Sequence, residues 1–450
     1  MEKKKFKLKP ANIFVFVNIL VILGICCFYG YRLVYYYKLE HPKTVKNKTF
    51  SEILTTDANL VYEGDGLYKN EDEYLFRGKE VNNYVYYSGR LWRIVKVNKN
   101  KSIKLVTADL DTSLVWGLDN NYEESYVKDW LIGDNNRFYN SLNQPDRYLQ
   151  NDTYCIDKIN EENITKCEET INSFVGLISY NEYSMAGLDE SYLNIGKYFW
   201  TINGTLEDDA WHVTVDGKMG KKSHTIDDYN AYGVRPTVTL KPETVLTGGE
   251  GTIDKPYTFE AENGKQITSK VVGEYITYSG LNWRIIEKTD IGVKVALDGF
   301  IKNEEGEDVE QYFSKSSNKY HAKNTNMGYY LNTKFYETLE NKDYIVSTKW
   351  GTGQYNNYVD YDFTNVTYSS AEAYIGLLSI GDSFINDYEN YFLITGRSSI
   401  AGTIHKVGVD GALYDERVSS GTKVRPALYL KNDLTIKSGK GTKDSPYVIG

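Results

Sequence analysis

Two matching stretches concentrate residues able to grip a ligand. The first carries Trp200, Asn203, Trp211, His212 and Asp216; the second carries Arg397, His405 and Asp410. Flat aromatic rings beside amide, imidazole, carboxylate and guanidinium groups suit contact with a glycan or a peptide. A core role serves Trp200 and Trp211 equally well when each is taken singly.

Catalytic and metal-binding patterns are missing around them. The five histidines, His41, His212, His224, His321 and His405, show neither HxxxH nor HExxH spacing. The sequence contains no Gly-x-Ser-x-Gly elbow and no phosphate-binding loop. The acidic pairs Glu123-Glu124, Asp208-Asp209 and Asp227-Asp228 stand in polar stretches, with no apolar context to hold one carboxyl protonated as a glycosidase acid. Gln144-Pro145-Asp146 is similar to the sugar-reading calcium motif of C-type lectins, but calcium needs six to eight oxygens from several segments. It reads instead as a turn after a helix. No catalytic residue, metal ligand or cofactor is assigned, and enzyme activity stays open with the balance against it.

A repeat organises the chain. Gly233-Val234-Arg235-Pro236-Thr237-Val238, followed by Gly249-Glu250-Gly251-Thr252 and Pro256-Tyr257, returns as Lys423-Val424-Arg425-Pro426-Ala427-Leu428, Gly439-Lys440-Gly441-Thr442 and Pro446-Tyr447. Recurrence at this spacing means a copied folding unit of about 190 residues. Each copy opens with an alternating hairpin around Ser88-Gly89 or Ser279-Gly280, with Trp92 and Trp283 directed into the cores. Helical periodicity follows at residues 127–131 and 137–142, then 329–331 and 334–339, and again at 180–186 and 380–385. Strands segregated from helices indicate an α+β fold.

The succession Tyr-Ser-Gly-x-x-Trp-Arg-Ile, Phe-Tyr-x-x-Leu, Gly-Leu-(Ile/Leu)-Ser, Phe-Trp-Thr, Val-x-Gly and Val-Arg-Pro resembles a family of tandem repeat domains. That family occurs in surface-exposed proteins of Gram-positive-type bacteria, and the resemblance covers nearly all of residues 60–450. It implies two C-type-lectin-like domains, a scaffold shared with formylglycine-generating enzymes. It also implies that the loops before the Val-Arg-Pro strand form a binding face. The cysteines those enzymes need in the core are absent, so their activity is not carried over.

Placement follows from the ends and the charge. Lys3, Lys4, Lys5, Lys7 and Lys9 precede an apolar run at residues 11–31, near the length of a bilayer-spanning helix, with tyrosines at 29, 31 and 35–37 behind it. No small-x-small cleavage site follows, which favours an uncleaved signal anchor over a signal peptide. Net charge of −9 and a pI near 5.3 exclude a nucleic-acid partner. Cys155 and Cys167 bracket a polar insertion found in one copy only and form a disulfide or stay as free thiols.

The expected layout is a basic cytoplasmic tail (1–10), a transmembrane anchor (11–31), a stalk (32–59) and lectin-like domains at 60–260 and 261–450. The expected protein is single-pass in the plasma membrane with its domains outside. Its expected role is surface recognition or adhesion toward a glycan or protein ligand. A glycan- or peptide-processing envelope enzyme and a structural component of a surface assembly are the alternatives.

Overall fold

Ser-Gly between two alternating segments dictates a tight turn, because both central positions of such a turn need a left-handed backbone. In the computed structural model Ser88 and Ser279 each have φ of 54°, and Gly89 and Gly280 follow at 67° and 71°. The structure describes residues 28–32, 48–117, 119–134, 136–223, 231–261, 263–352, 354–355, 369–397 and 401–450. Strands Tyr84–Tyr87 and Arg90–Val97 flank the first turn, and Tyr275–Tyr278 and Leu281–Lys288 flank the second. Register is common to both: Val85 faces Trp92, and Ile276 faces Trp283. Each indole N–H donates to its own hairpin, Trp92 to Tyr87 O at 2.9 Å and Trp283 to Tyr278 O at 3.1 Å. Even the bulge recurs, at Ile94/Lys96 and at Ile285/Glu287.

Each hairpin continues into an antiparallel sheet. The next strand, Ile103–Thr107 or Val293–Leu297, pairs with the Val-Arg-Pro strand, Pro236–Leu240 or Pro426–Leu430, and that strand with Val175–Leu177 or Ile375–Leu377. The closing block then returns beside the opening strand. Tyr84 N–H donates to Gly251 O and Tyr86 N–H to Tyr257 O, while Tyr275 N–H donates to Gly441 O. Strand Tyr447–Ile449 runs parallel to Tyr275–Tyr278.

The repeated arginines are structural. Arg235 and Arg425 are fully buried, and their Nε groups donate to Thr107 O and Leu297 O, both at 3.1 Å. Arg235 also donates to Leu193 O and Arg425 to Phe384 O, and the remaining Arg425 nitrogen stands 3.6 Å from the Asp387 carboxylate, so these arginines tie separate segments together.

The expected α+β class and transmembrane helix are both corrected. Strand accounts for 37% and helix for 16%, so the fold is mainly β. Periodicity at 380–385 yields no α-helix, only the 3₁₀ turn Ile385–Asp387 at its end, because Gly381 and Phe384 take φ of 81° and 64° and break the turn. At 137–142 only the single 3₁₀ turn Tyr139–Ser141 forms. Among the described residues no helix is long and apolar enough to cross a membrane. Crossing takes roughly 20 residues, and most of the expected span at 11–31 lies outside the described residues. The membrane partner, the signal anchor and the single-pass plasma-membrane placement are withdrawn with it.

Part of the expected stalk packs on the first unit. Thr49 caps helix Phe50–Leu54, with Glu52 completing the reciprocal box. Phe50 is buried against Tyr257, and its N–H donates to Thr244 O at 2.7 Å. The Gly64-Asp65-Gly66 turn opens a hairpin, Gly66–Asn70 and Glu73–Arg77, which extends the first sheet along Arg90–Val97.

Cys155 and Cys167 form a disulfide closing a 12-residue separation. The enclosed loop is fastened to the second sheet of its unit: Asn203 Nδ2 donates to Cys155 O and Asp157 O, and Trp211 Nε1 to Ile159 O. Opening the loop with Cys155→Ala/Cys167→Ala is expected to lower the unfolding free energy by about 3 kcal/mol, measured by urea denaturation. A loss below about 0.5 kcal/mol would show that the hydrogen bonds alone hold the loop.

Candidate functional site

The aromatic candidates are buried in the second sheet of the first unit. Strand Phe199–Gly204 is buried along its whole length and pairs with Asp209–Val213, which places Trp200 opposite His212. Trp200 donates to Leu114 O at 2.8 Å, and Asn203 accepts Tyr180 N–H at 3.0 Å. His212 lies among Tyr198, Trp200 and Tyr232, with Tyr232 closest at 4.8 Å between ring centroids. Burial, with Lys222 adding to it, pushes its imidazole down to about 4. Asp216 alone stays at an exposed hairpin tip, where Thr214 Oγ1 and Lys218 bind its carboxylate and hold it down to about 2.

The second-unit candidates divide differently. His405 is fully buried, with Nδ1 3.2 Å from an Asp415 carboxylate that Arg397 also engages. Burial first and the Arg397 charge second push this histidine down to about 3. Asp410 accepts the Tyr414 hydroxyl and Ala412 N–H, and its carbonyl accepts Tyr198 N–H of the first unit at 2.8 Å. The eight candidates therefore do not converge on one open face. Gln144-Pro145-Asp146 is a local turn: Gln144 has φ of 46°, Asn341 repeats it at 44°, and Asp146 accepts Tyr139 OH.

Asp410 marks a seam between the units that sequence reading missed. Gly89 lies against Val272 O and Gly273, so closely that a side chain at Gly89 would meet backbone at 2.3 Å. Trp130 Nε1 donates to Gly381 O at 2.9 Å, Ser113 Oγ to Gly411 O at 2.6 Å, and Leu413 N–H to Ala231 O at 3.0 Å. Arg90 and Asp111 form a buried pair at 2.7 Å whose free edges take up Ser383 Oγ.

A buried charge cluster recurs in both units with one exchange. In the first, Glu182 meets Lys104 at 2.7 Å and Lys96 at 3.8 Å. In the second, Asp382 meets Lys294 at 2.7 Å, but Glu287 stands where the first unit has Lys96. Arg137 of the first unit reaches across to supply the missing cation, 2.8 Å from Asp382 and 3.2 Å from Glu287. Burial alone would raise both Glu182 and Asp382; the cations outweigh it and hold each at about 2.

The seam opens into a cleft of about 310 Å³, at the small end of ligand pockets. Phe300 and Tyr388 meet edge to face at 5.5 Å on one side, and Val409, 60% exposed, stands among the other lining residues. Lys423 and Glu389 of the second unit and Lys197 of the first add charge of both signs. The Asp387 carboxylate, also in the lining, is held through both oxygens by Arg284 at 2.8 Å. Among the described residues no group of three or more His, Cys, Asp or Glu side chains is placed to hold a metal. No protein-family model matches the chain, and searches of curated proteins and of solved structures likewise find no match.

Proposed function

We propose that the chain is a recognition module without catalysis, and that it holds a carbohydrate in the cleft between its two units. The observation carrying this reading is the Phe300–Tyr388 pair set among lysines and carboxylates of the cleft. A sugar ring offers C–H groups to an aromatic and hydroxyls that both donate and accept, and such a lining meets each need. Two lysines and two carboxylates leave the cleft near neutrality, which favours neutral or N-acetylated sugars over polyanions. A glycosidase is disfavoured because Arg284 immobilises Asp387 in an ion pair, leaving it unsuited to trade protons.

The test is a glycan array probed with the full-length chain, followed by titration of the best binder. Tyr388→Ala and Val409→Asp are each expected to weaken binding by at least about tenfold. Val409 is largely exposed, so its substitution is expected to leave the melting temperature within a few degrees. An empty array, or binding that ignores both substitutions, sinks the reading.

A further inference from the structure

The two units expose corresponding faces to different fates, and this contrast is independent of the carbohydrate reading. On the first unit the face comprises the Ser88-Gly89 turn, Trp130 and Arg137, all engaged by the second unit. On the second unit the corresponding positions are Ser279-Gly280, Tyr330 and Lys334. Among the described residues nothing comes within 4 Å of a Cβ placed on Gly280. Lys334 is exposed, Tyr330 is half-buried and the neighbouring Tyr329 is 50% exposed. Among the described residues the surface that joins the units thus recurs uncovered on the second unit.

What covers such a face is defined by the seam itself. The acceptor surface offers Gly273, whose φ of 103° and missing side chain let Gly89 approach, and the carboxylates Glu287 and Asp382, which draw in a cation. The first unit is a poor acceptor on both counts. Asn83 and Glu274 accept the corresponding hydrogen bonds from Ile94 and Ile285, which places Asn82 at the position of Gly273. Lys96 stands at the position of Glu287, where it would oppose an incoming Lys334. The hairpin strand Glu73–Arg77 also occupies the sheet edge beside Lys96.

We infer that the face around Gly280, Tyr330 and Lys334 docks a further unit of the same build. That unit carries a glycine where this chain has Gly273 and carboxylates where it has Glu287 and Asp382. A second copy of this chain is not the partner. A contact of this head-to-tail kind extends an array until a unit lacks the acceptor, and the first unit here is such an end.

The probe is an engineered copy of the full chain, Asn82→Gly/Lys96→Glu with hairpin residues 67–76 removed between the paired ends Gly66 and Arg77, whose first unit gains the acceptor features and an open sheet edge. Analytical ultracentrifugation is expected to find the native chain monomeric. Mixed with the engineered copy it is expected to form a complex that Lys334→Glu in the native chain weakens by at least roughly tenfold. Hydrogen exchange on the mixture is expected to slow at residues 279–281 and 329–334. Lys96→Glu with the same hairpin removed serves as the acceptor should that variant not fold. Self-association of the native chain through Lys334 would overturn the inference. So would a folded acceptor variant that shows neither complex nor protection.

Discussion

Asp382→Ala is expected to lower the unfolding free energy by about 3 to 5 kcal/mol and to loosen the two units from one another. The carboxylate is the common partner of Lys294, whose side chain is 3% exposed, and of Arg137 from the other unit. Removing it strands an ammonium in the core and leaves the guanidinium that bridges the seam with Glu287 alone. Glu182→Ala strands Lys104, 4% exposed, in the same way and carries a similar cost. Among the described residues Glu182 pairs only within the first unit, however, so its loss is expected to leave the seam intact. The two variants are therefore expected to unfold differently. Asp382→Ala separates the calorimetric transition into two steps, and Glu182→Ala keeps one. A loss below about 1 kcal/mol at Asp382, or a single transition in both, would show that Arg137 does not fasten the units.

Stability is expected to fall by only about 2 kcal/mol between pH 7 and about 4.5 and then steeply, for reasons set by six buried groups. His212 and His405 are held down to about 4 and about 3, against 6.5 in the unfolded chain. As pH drops below 6.5 the unfolded state binds protons that the folded state refuses, and stability is lost. Each pKa unit is worth 1.36 kcal/mol, so the two together remove roughly 5 kcal/mol by pH 4.5. Glu260 works against them. Burial pushes it up to about 7 although Ser88 N–H and Asn143 Nδ2 donate to it, and Glu274 is raised in the same direction by burial. The folded state takes up the Glu260 proton before the unfolded one does, gaining about 3 kcal/mol as pH falls from 7 to 4.5. Below 4.5 that gain is complete. The histidine losses continue, and Glu182 and Asp382, held at about 2, begin to lose their own contribution. Melting curves across this range check the profile. His212→Phe/His405→Gln is expected to retain more stability at pH 4, and Glu260→Gln to deepen the loss between pH 7 and 4.5 to about 5 kcal/mol. A collapse already complete at pH 6 would refute the assignment.

How much of this was legible in the sequence depends on how local each feature is. The Ser-Gly hairpins were readable because a left-handed turn has few residue types to choose from, and the strands beside it alternate. The disulfide was readable as one of two possibilities because its cysteines stand alone in a polar insertion. The helices were overcalled at 380–385, where apolar spacing hid two residues with positive φ. Two of the ligand candidates, Trp200 and Asn203, lie on a strand with no alternation to read. Phe199–Gly204 is covered on both faces, so its tryptophan resembles a platform in sequence and packs as core in space. The seam was illegible for a different reason. Lys197 belongs to one unit and Phe300 and Val409 to the other, so they line one cleft only when the units dock.

The closing strand of the second unit has a mechanical consequence. Tyr447–Ile449 lies parallel to Tyr275–Tyr278, the strand that opens the same unit. A pull applied between the start of that unit and its C-terminus slides these two strands along each other, so their hydrogen bonds share the load at once. An antiparallel pair gripped at its open end would instead unzip, its bonds breaking in succession. The unit's last three-residue strand thus acts as a shear clasp, and tension on the chain reaches its core only after the clasp gives way.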